Sequence, residues 1–179
     1  MSVSGVGPQI RLLALDCDGV LTDGSILILP DGTEAKRFHA SDGVALRLWG
    51  ALGLPAAVIT GRSGSALRHR LADLGVSRLI EGSKDKLADL ARLEAESGVP
   101  AASMAYIGDD WPDLPVLRRV GLAMAVADAA PLVRDAVRAA GDRGVLLSRP
   151  GGHGAVREAV ELLLRRAGLW ERAVGMHDR

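Results

Sequence analysis

Two carboxylates stand one residue apart at Asp16 and Asp18, at the end of the apolar run Leu12-Leu13-Ala14-Leu15 and just ahead of Gly19. If both are ionised about 4 Å apart, they repel by roughly 4 kcal/mol at an effective dielectric near 20. A site that keeps both charges favours a divalent cation between them, and hard oxygen ligands beside a phosphate select magnesium. Taken alone, an Asp-x-Asp pair is also an ordinary strand end or helix cap.

Three further places add to it. With Asp16 and Asp18 they make four strand ends: Thr60 closes the apolar run Ala56-Ala57-Val58-Ile59, Lys86 is read as delivered by the strand end before it, and Asp109-Asp110 follow Ala105-Tyr106-Ile107-Gly108. Each has a plain explanation by itself: Thr60 caps, Lys86 is solvated, Asp109 turns. Together they supply the parts of a phosphoryl-transfer site, namely a carboxylate nucleophile, an acid/base, donors for phosphate oxygens and a metal holder. They can meet only if the strands run parallel, because ligands of open α/β sheets bind at the carboxyl ends of the strands.

The rest of the chain reads as the scaffold such convergence requires. After the first strand, Ser25 to Leu29 and Thr33 to Phe38 flank the turn Pro30-Asp31-Gly32 and predict a projecting hairpin over about 25–38. Its first arm is apolar throughout, which predicts packing against another subunit. Helices are expected over Asp42 to Leu52, with Asp42 as cap and Val44, Leu46, Leu48 and Trp49 buried; from a Ser63 cap to Leu74, ended by Gly75; and over Lys84 to Glu96, with Leu87, Leu90 and Leu93 at helical spacing. Short strands at Ser77 to Gly82, Gly121 to Val126 and Gly144 to Leu147 alternate with helices at Pro112 to Arg119, Pro131 to Ala139 and Gly154 to Ala167. Arg157, Glu158, Glu161 and Arg165 should form a solvated, ion-paired face on the last of these, and Trp170 to Arg179 a mobile end. Such alternation specifies an α/β fold: a Rossmann-like three-layer sandwich with a mostly parallel sheet.

With 179 residues the chain reads as a single domain, 1–179. Net charge is zero and aromatic residues make up 3%, so neither the basic footprint nor the stacking platform of a nucleic-acid binder is present. Cys17 is the only cysteine, which excludes an internal disulfide and fits a reducing compartment. Met1 to Gln9 lacks a signal-peptide pattern and reads as a short frayed lead-in, and no apolar run approaches a membrane span, so a cytoplasmic location without membrane contact is expected.

In order along the chain, Asp16-Cys17-Asp18-Gly19-Val20-Leu21-Thr22, Val58-Ile59-Thr60-Gly61-Arg62, Lys86 and Gly108-Asp109-Asp110-Trp111-Pro112-Asp113 resemble the four motifs of the haloacid dehalogenase (HAD) superfamily of phosphatases. The resemblance implies that Asp16 is the nucleophile and Asp18 the general acid and later base. It also implies that Asp16, the carbonyl of Asp18, and Asp109 hold Mg2+, and that Thr60 and Lys86 grip the phosphate. Asp110 and Asp113 either orient Lys86 or a metal-bound water from behind, or cap the helix at Pro112.

Within the superfamily the chain is most similar to capless phosphatases of eight- or nine-carbon sugar-acid phosphates, which implies 3-deoxy-D-manno-octulosonate 8-phosphate as substrate. Neither Thr22 to Asp42 nor Arg62 to Lys86 is long enough to house a cap domain. The family's sugar-acid contacts fall on His39, Ala40, Ser41, Asp42, Gly43, Arg47, Gly61, Arg62 and Arg70, alongside Asp18, Thr60 and Lys86. Arginine forks suit a carboxylate and a polyhydroxyl chain. Ser41 and His153 replace basic residues usual in the octulosonate branch, while Arg62 favours that branch over the nine-carbon sialic-type one. The resemblance further implies a homotetramer built by the hairpins, and a glycine-rich segment at about 150–158 that closes over the pocket.

Two other classes are weighed against this. A phospho-accepting receiver module also gathers acids, Thr and Lys at one rim, but carries its phosphorylated Asp on the third strand and needs no second acid two residues on. A non-catalytic scaffold would not need all four motifs intact.

Overall fold

The structure, a computed structural model, describes residues 9–176. Met1 to Pro8, most of the expected frayed lead-in, and 177–179 lie outside the described residues. In chain order the elements are β1 (Leu12–Leu15), β2 (Leu27–Ile28), β3 (Glu34–Ala35), α1 (Ala40–Ala51), β4 (Ala56–Ile59), α2 (Ser65–Leu74), β5 (Arg78–Ile80) and α3 (Lys86–Ser97). They continue with β6 (Met104–Gly108), α4 (Leu114–Arg119), β7 (Leu122–Ala125), α5 (Pro131–Ala139), β8 (Gly144–Leu146), α6 (Ala155–Arg166) and α7 (Trp170–Gly175).

Six strands form one sheet in the order β5-β4-β1-β6-β7-β8, with every neighbouring pair parallel. β1, β4, β6 and β7 are buried at every position, as expected of parallel strands covered on both faces. Right-handed crossovers running outward from β1 to β5 place α1 and α2 on one face; the return through α3, α4 and α5 covers the other. The helix contacts agree, with α1 against α2 and α6, and α4 against α3 and α5. Trp49 fills the α1 side of the core, its indole N–H satisfied by the Pro55 carbonyl at 2.9 Å.

Several local expectations need correction. Asp42 does not cap its own helix, which starts after His39 without a side-chain cap. It is buried, and its carboxylate accepts from the backbone N–H of Gly154 at 3.2 Å and of Arg157 at 2.7 Å, capping α6 instead. Ser63 does not cap α2, which is preceded by Gly64, whereas Gly75 ends that helix in the left-handed conformation as expected. Val44 and Leu87 are exposed, because at those turns the buried stripe passes through their neighbours. Glu158 is not a free surface acid: it accepts from the N–H groups of Ser148 and Arg149. Trp170 to Gly175 is a helix, and Arg165 stacks on the Trp170 ring at 3.8 Å.

The hairpin forms as its own two-stranded ribbon, β2 against β3. Its turn is organised by Asp31, which accepts from the N–H and hydroxyl of Thr33. Ile26, Leu27, Ile28 and Leu29 stay between 40% and 64% exposed, so the apolar arm does not fold back on its own domain. The return arm is tied down by ion pairs of Glu34 with Arg62, Lys36 with Asp18 and Arg37 with Asp23.

The glycine-rich segment begins as a closed turn. Gly152 N–H donates to the Val20 carbonyl at 3.0 Å, and a Cβ on Gly151 would fall 1.8 Å from the Gly19 carbonyl oxygen. Only glycine permits that approach to the loop after β1. Among the described residues no helix is long and apolar enough to cross a membrane.

Candidate active site

β1 is the hub. It pairs with β4 on one side and β6 on the other, with Leu15 opposite Val58 and Ile107. Carrying that register two residues past the paired positions sets Thr60 and Asp109 level with Cys17, one strand spacing of about 4.8 Å to either side. The chain leaves β1 through a tight turn in which Val20, Leu21 and Thr22 all return their N–H groups to the Cys17 carbonyl. Gly19, at φ +83°, makes this possible, since a Cβ there would lie 2.0 Å from Asp109 Oδ2.

Asp16 accepts from the Cys17 N–H at 2.6 Å through Oδ1 and from Lys86 Nζ at 2.6 Å through Oδ2. Lys86 is not at a strand end but in the first turn of α3, whose N-terminus Asp85 caps by accepting from Leu87 and Ala88. Its ammonium also donates to Asp113 Oδ1 at 2.7 Å. Burial alone would lower the Lys86 pKa, but the charges of Asp113 and Asp16 outweigh it and hold the group above its ordinary value.

The structure separates the two acids after Asp109. Asp113 is wholly buried and accepts from Lys86, from the Tyr106 hydroxyl at 2.7 Å and from the N–H of Asp109 at 3.0 Å. Asp110 is exposed and completes a reciprocal cap with Asp113 over the short turn Trp111–Asp113. Orienting Lys86 thus falls to Asp113 and capping to both.

Asp16, Asp109 and Asp113 each present an oxygen within 4.8 Å of the others. Burial, then the neighbouring charge of Asp113, pushes Asp16 up to about 6, against the opposing pull of Lys86. Burial, then Asp113 and Asp16, pushes Asp109 up to about 8. Asp109 Oδ1 and Asp18 Oδ2 are buried without a hydrogen-bond partner among the described residues. Crowded hard oxygens with orphaned lone pairs, beside one lysine, fit a small divalent cation. Cys17 is buried, and desolvation raises its thiol to about 12, so it is packing and not a nucleophile.

The expected substrate contacts are dispersed. Thr60 is buried with its hydroxyl accepting from the Arg62 N–H at 3.3 Å, and Arg62 itself is paired to Glu34. Gly61, between them, is exposed. His39 Nδ1 and Ser41 Oγ share a hydrogen bond at 2.7 Å beside exposed Ala40. Arg47 and Arg70 both turn onto Asp73, at 2.8 Å and 3.1 Å, and a Cβ on Gly43 would strike Arg70 Nη2 at 2.3 Å. Asp42 is committed to α6. A cavity of about 670 Å³ runs along α6 between Arg149, Arg157 and Arg165, and shares only Ser41 with this set.

Sequence reading missed four participants: Tyr106, Lys36, Glu34 and Asp73. Tyr106 carried a signal, being the one tyrosine of the chain and set within an apolar strand, where a buried phenol needs a partner. Asp73 carried a local one, since Arg70 stands three residues before it on the same helix, whereas Lys36 and Glu34 carried none, because their partners lie 18 and 28 residues away across turns.

No family model matches the chain. Its curated relatives include the 3-deoxy-D-manno-octulosonate 8-phosphate phosphatase KdsC of Escherichia coli strain K12, 40% identical over 168 residues, 93% of this chain and 86% of the relative. Among solved structures, a probable YrbI family phosphatase from Pseudomonas syringae superposes with a TM-score of 0.89 at 41% identity, over 97% of this chain and 95% of that one. The 3-deoxy-D-manno-octulosonate 8-phosphate phosphatase of Moraxella catarrhalis, solved in complex with magnesium ion, phosphate ion and KDO, gives 0.86 at 37% identity over 93% and 92%. Motifs, sheet order and identity over nearly the whole length agree: the chain belongs to the KdsC-type 3-deoxy-D-manno-octulosonate 8-phosphate phosphatase family of HAD hydrolases.

Proposed function

We propose that this chain is a magnesium-dependent phosphatase that hydrolyses 3-deoxy-D-manno-octulosonate 8-phosphate through an aspartyl-phosphate on Asp16. The observation that carries the reading is the convergence of Asp16, Lys86, Asp113 and Asp109 at the carboxyl end of the central strand. Asp16 forms a bond to phosphorus as the ester P–O bond breaks, and Asp18 gives a proton to the departing alkoxide. Asp18 then takes a proton from water as its oxygen attacks phosphorus and releases Asp16. Lys86 and Thr60 hold the non-bridging oxygens, with Lys86 fixed in place by Asp113. Asp16, Asp109 and the Asp18 carbonyl would hold magnesium, which when bound would supply positive charge for the phosphate and screen the nucleophile's approach.

Arg62, His39, Ala40, Ser41, Gly43, Arg47 and Arg70, although dispersed in the structure, are the residues from which sugar-acid contacts are drawn. Because Arg47 and Arg70 are held by Asp73, binding through them requires a change of partner. The exposed arm Ile26 to Leu29 supports assembly through the hairpins into a homotetramer. The unpaired, buried Cys17 is in keeping with a reducing, cytoplasmic setting. The described residues, 9–176, are read as one catalytic domain.

The test is a panel of phosphorylated sugar acids, eight- and nine-carbon, with and without Mg2+, ranked by kcat/KM. Highest turnover of the octulosonate ester, lost on chelation, is expected. Preference for a nine-carbon ester overturns the substrate assignment, and metal-independent turnover overturns the mechanism.

A further inference from the structure

Asp18 sits next to the nucleophile and has to deliver a proton in one half-reaction and remove one in the next. Its two oxygens have different surroundings. Oδ1 takes the ammonium of Lys36, whereas Oδ2 is buried with no hydrogen-bond partner among the described residues. Lys36 comes from the return arm of the hairpin, immediately after β3, and its side chain is only 5% exposed although the hairpin as a whole stands out from the domain. A lysine so enclosed must be matched by an anion, and Asp18 is its only ion-pair partner among the described residues. The flanking pairs, Glu34 with Arg62 and Arg37 with Asp23, tie the same arm to the loop after β4 and the turn after β1.

We infer that Lys36 is a positioning residue for the acid/base step: by tying Oδ1 of Asp18 it fixes the one rotamer from which the carboxyl exchanges a proton with the ester oxygen and the attacking water. The inference rests on the phosphatase reading above. It makes the hairpin part of the catalytic apparatus as well as an apolar surface. A carboxylate free to rotate would spend much of its time with neither oxygen aligned, and loss of alignment of this kind costs roughly 10- to 100-fold in rate.

The experiment uses the full chain with Mg2+ and two esters, the octulosonate phosphate and p-nitrophenyl phosphate, whose leaving group needs no proton. Lys36→Met should lower kcat for the sugar ester roughly 10- to 100-fold with little change in KM. With p-nitrophenyl phosphate the same variant should show a pre-steady-state burst of nitrophenol equal to the enzyme present. The first step then proceeds unaided while hydrolysis of the phospho-aspartate waits on Asp18. Lys36→Arg, which restores a cationic donor, should recover most of kcat and remove the burst. If Lys36→Met does not fold, Lys36→Gln takes its place, with the same expectations. An unchanged kcat, a loss confined to KM, or slow turnover of both esters without a burst overturns the inference. Absence of turnover in the unmodified enzyme would overturn the phosphatase reading instead.

Discussion

The Tyr106 hydroxyl donates to Asp113 Oδ1 at 2.7 Å, deep beneath the catalytic rim, and the same oxygen receives the ammonium of Lys86. Burial, reinforced by the charge of Asp113, raises the phenol well above its ordinary pKa, so it remains a donor at every working pH. Tyr106→Phe removes one of the donors that hold this carboxylate and leaves the rest. It should cost about 1–2 kcal/mol of stability, and lower kcat by loosening Lys86. Denaturant unfolding and steady-state kinetics check both; wild-type values would show that Asp113 needs no support from β6.

Asp16→Asn keeps the size of the side chain and an acceptor for Lys86 but withdraws the nucleophile. Turnover should fall by roughly 10³-fold or more, with an unchanged circular dichroism spectrum. Retained activity defeats the aspartyl-phosphate assignment.

Without metal, Asp16 and Asp109 sit at about 6 and about 8, both above the ordinary carboxylate value of 3.8. A carboxyl raised by folding stabilises the native state below its unfolded pKa and loses that contribution as pH climbs through the folded one. The chelated protein should therefore lose thermal stability between about pH 5 and pH 8. Mg2+ should restore more at pH 8 than at pH 6, because it binds the ionised forms. Asp109→Asn should flatten the profile; a flat profile in the unmodified protein would contradict the burial of these charges.

Asp42→Ala leaves the N–H groups of Gly154 and Arg157 without their acceptor. The expected loss is about 2 kcal/mol, or about 4–8 °C in Tm. Asp42→Asn, which keeps one oxygen, should lose less. Equal losses would mean that the carboxylate, and not its acceptor geometry, is what α6 requires.

Replacing Leu27 and Ile28 with serine removes apolar surface that the fold leaves exposed. Light scattering should then report smaller species than for the unmodified chain. An unchanged assembly would place the subunit interface elsewhere.

The sheet, its parallel sense and the positions of Asp16, Thr60 and Asp109 were legible in the chain because their signals are local: apolar runs in β1, β4 and β6, stopped by a carboxylate, a hydroxyl or a glycine, whereas Lys86 follows no such run and sits in a helix. Parallel order then required those ends to share a rim. Gly75 and Pro131 were legible for the same reason, since a left-handed C-cap and a first-turn proline are properties of single residues.

Helix caps were less legible. Asp42 and Ser63 have the right side chains in the right places, yet Asp42 serves a helix more than a hundred residues away and Ser63 stands one position too early. A short polar side chain says that it will accept a hydrogen bond, not from which backbone.

What the sequence by itself determined is thus which side chains meet at the end of β1, because residue type and apolar patterning dictate it. The tertiary structure alone decided how those groups are held: Asp113 behind Lys86, Lys36 on one oxygen of Asp18, Arg47 on Asp73. The physical reason is that a charge is matched by whatever opposite charge folding brings within about 3 Å, and a separation of many residues leaves no periodic trace in the chain.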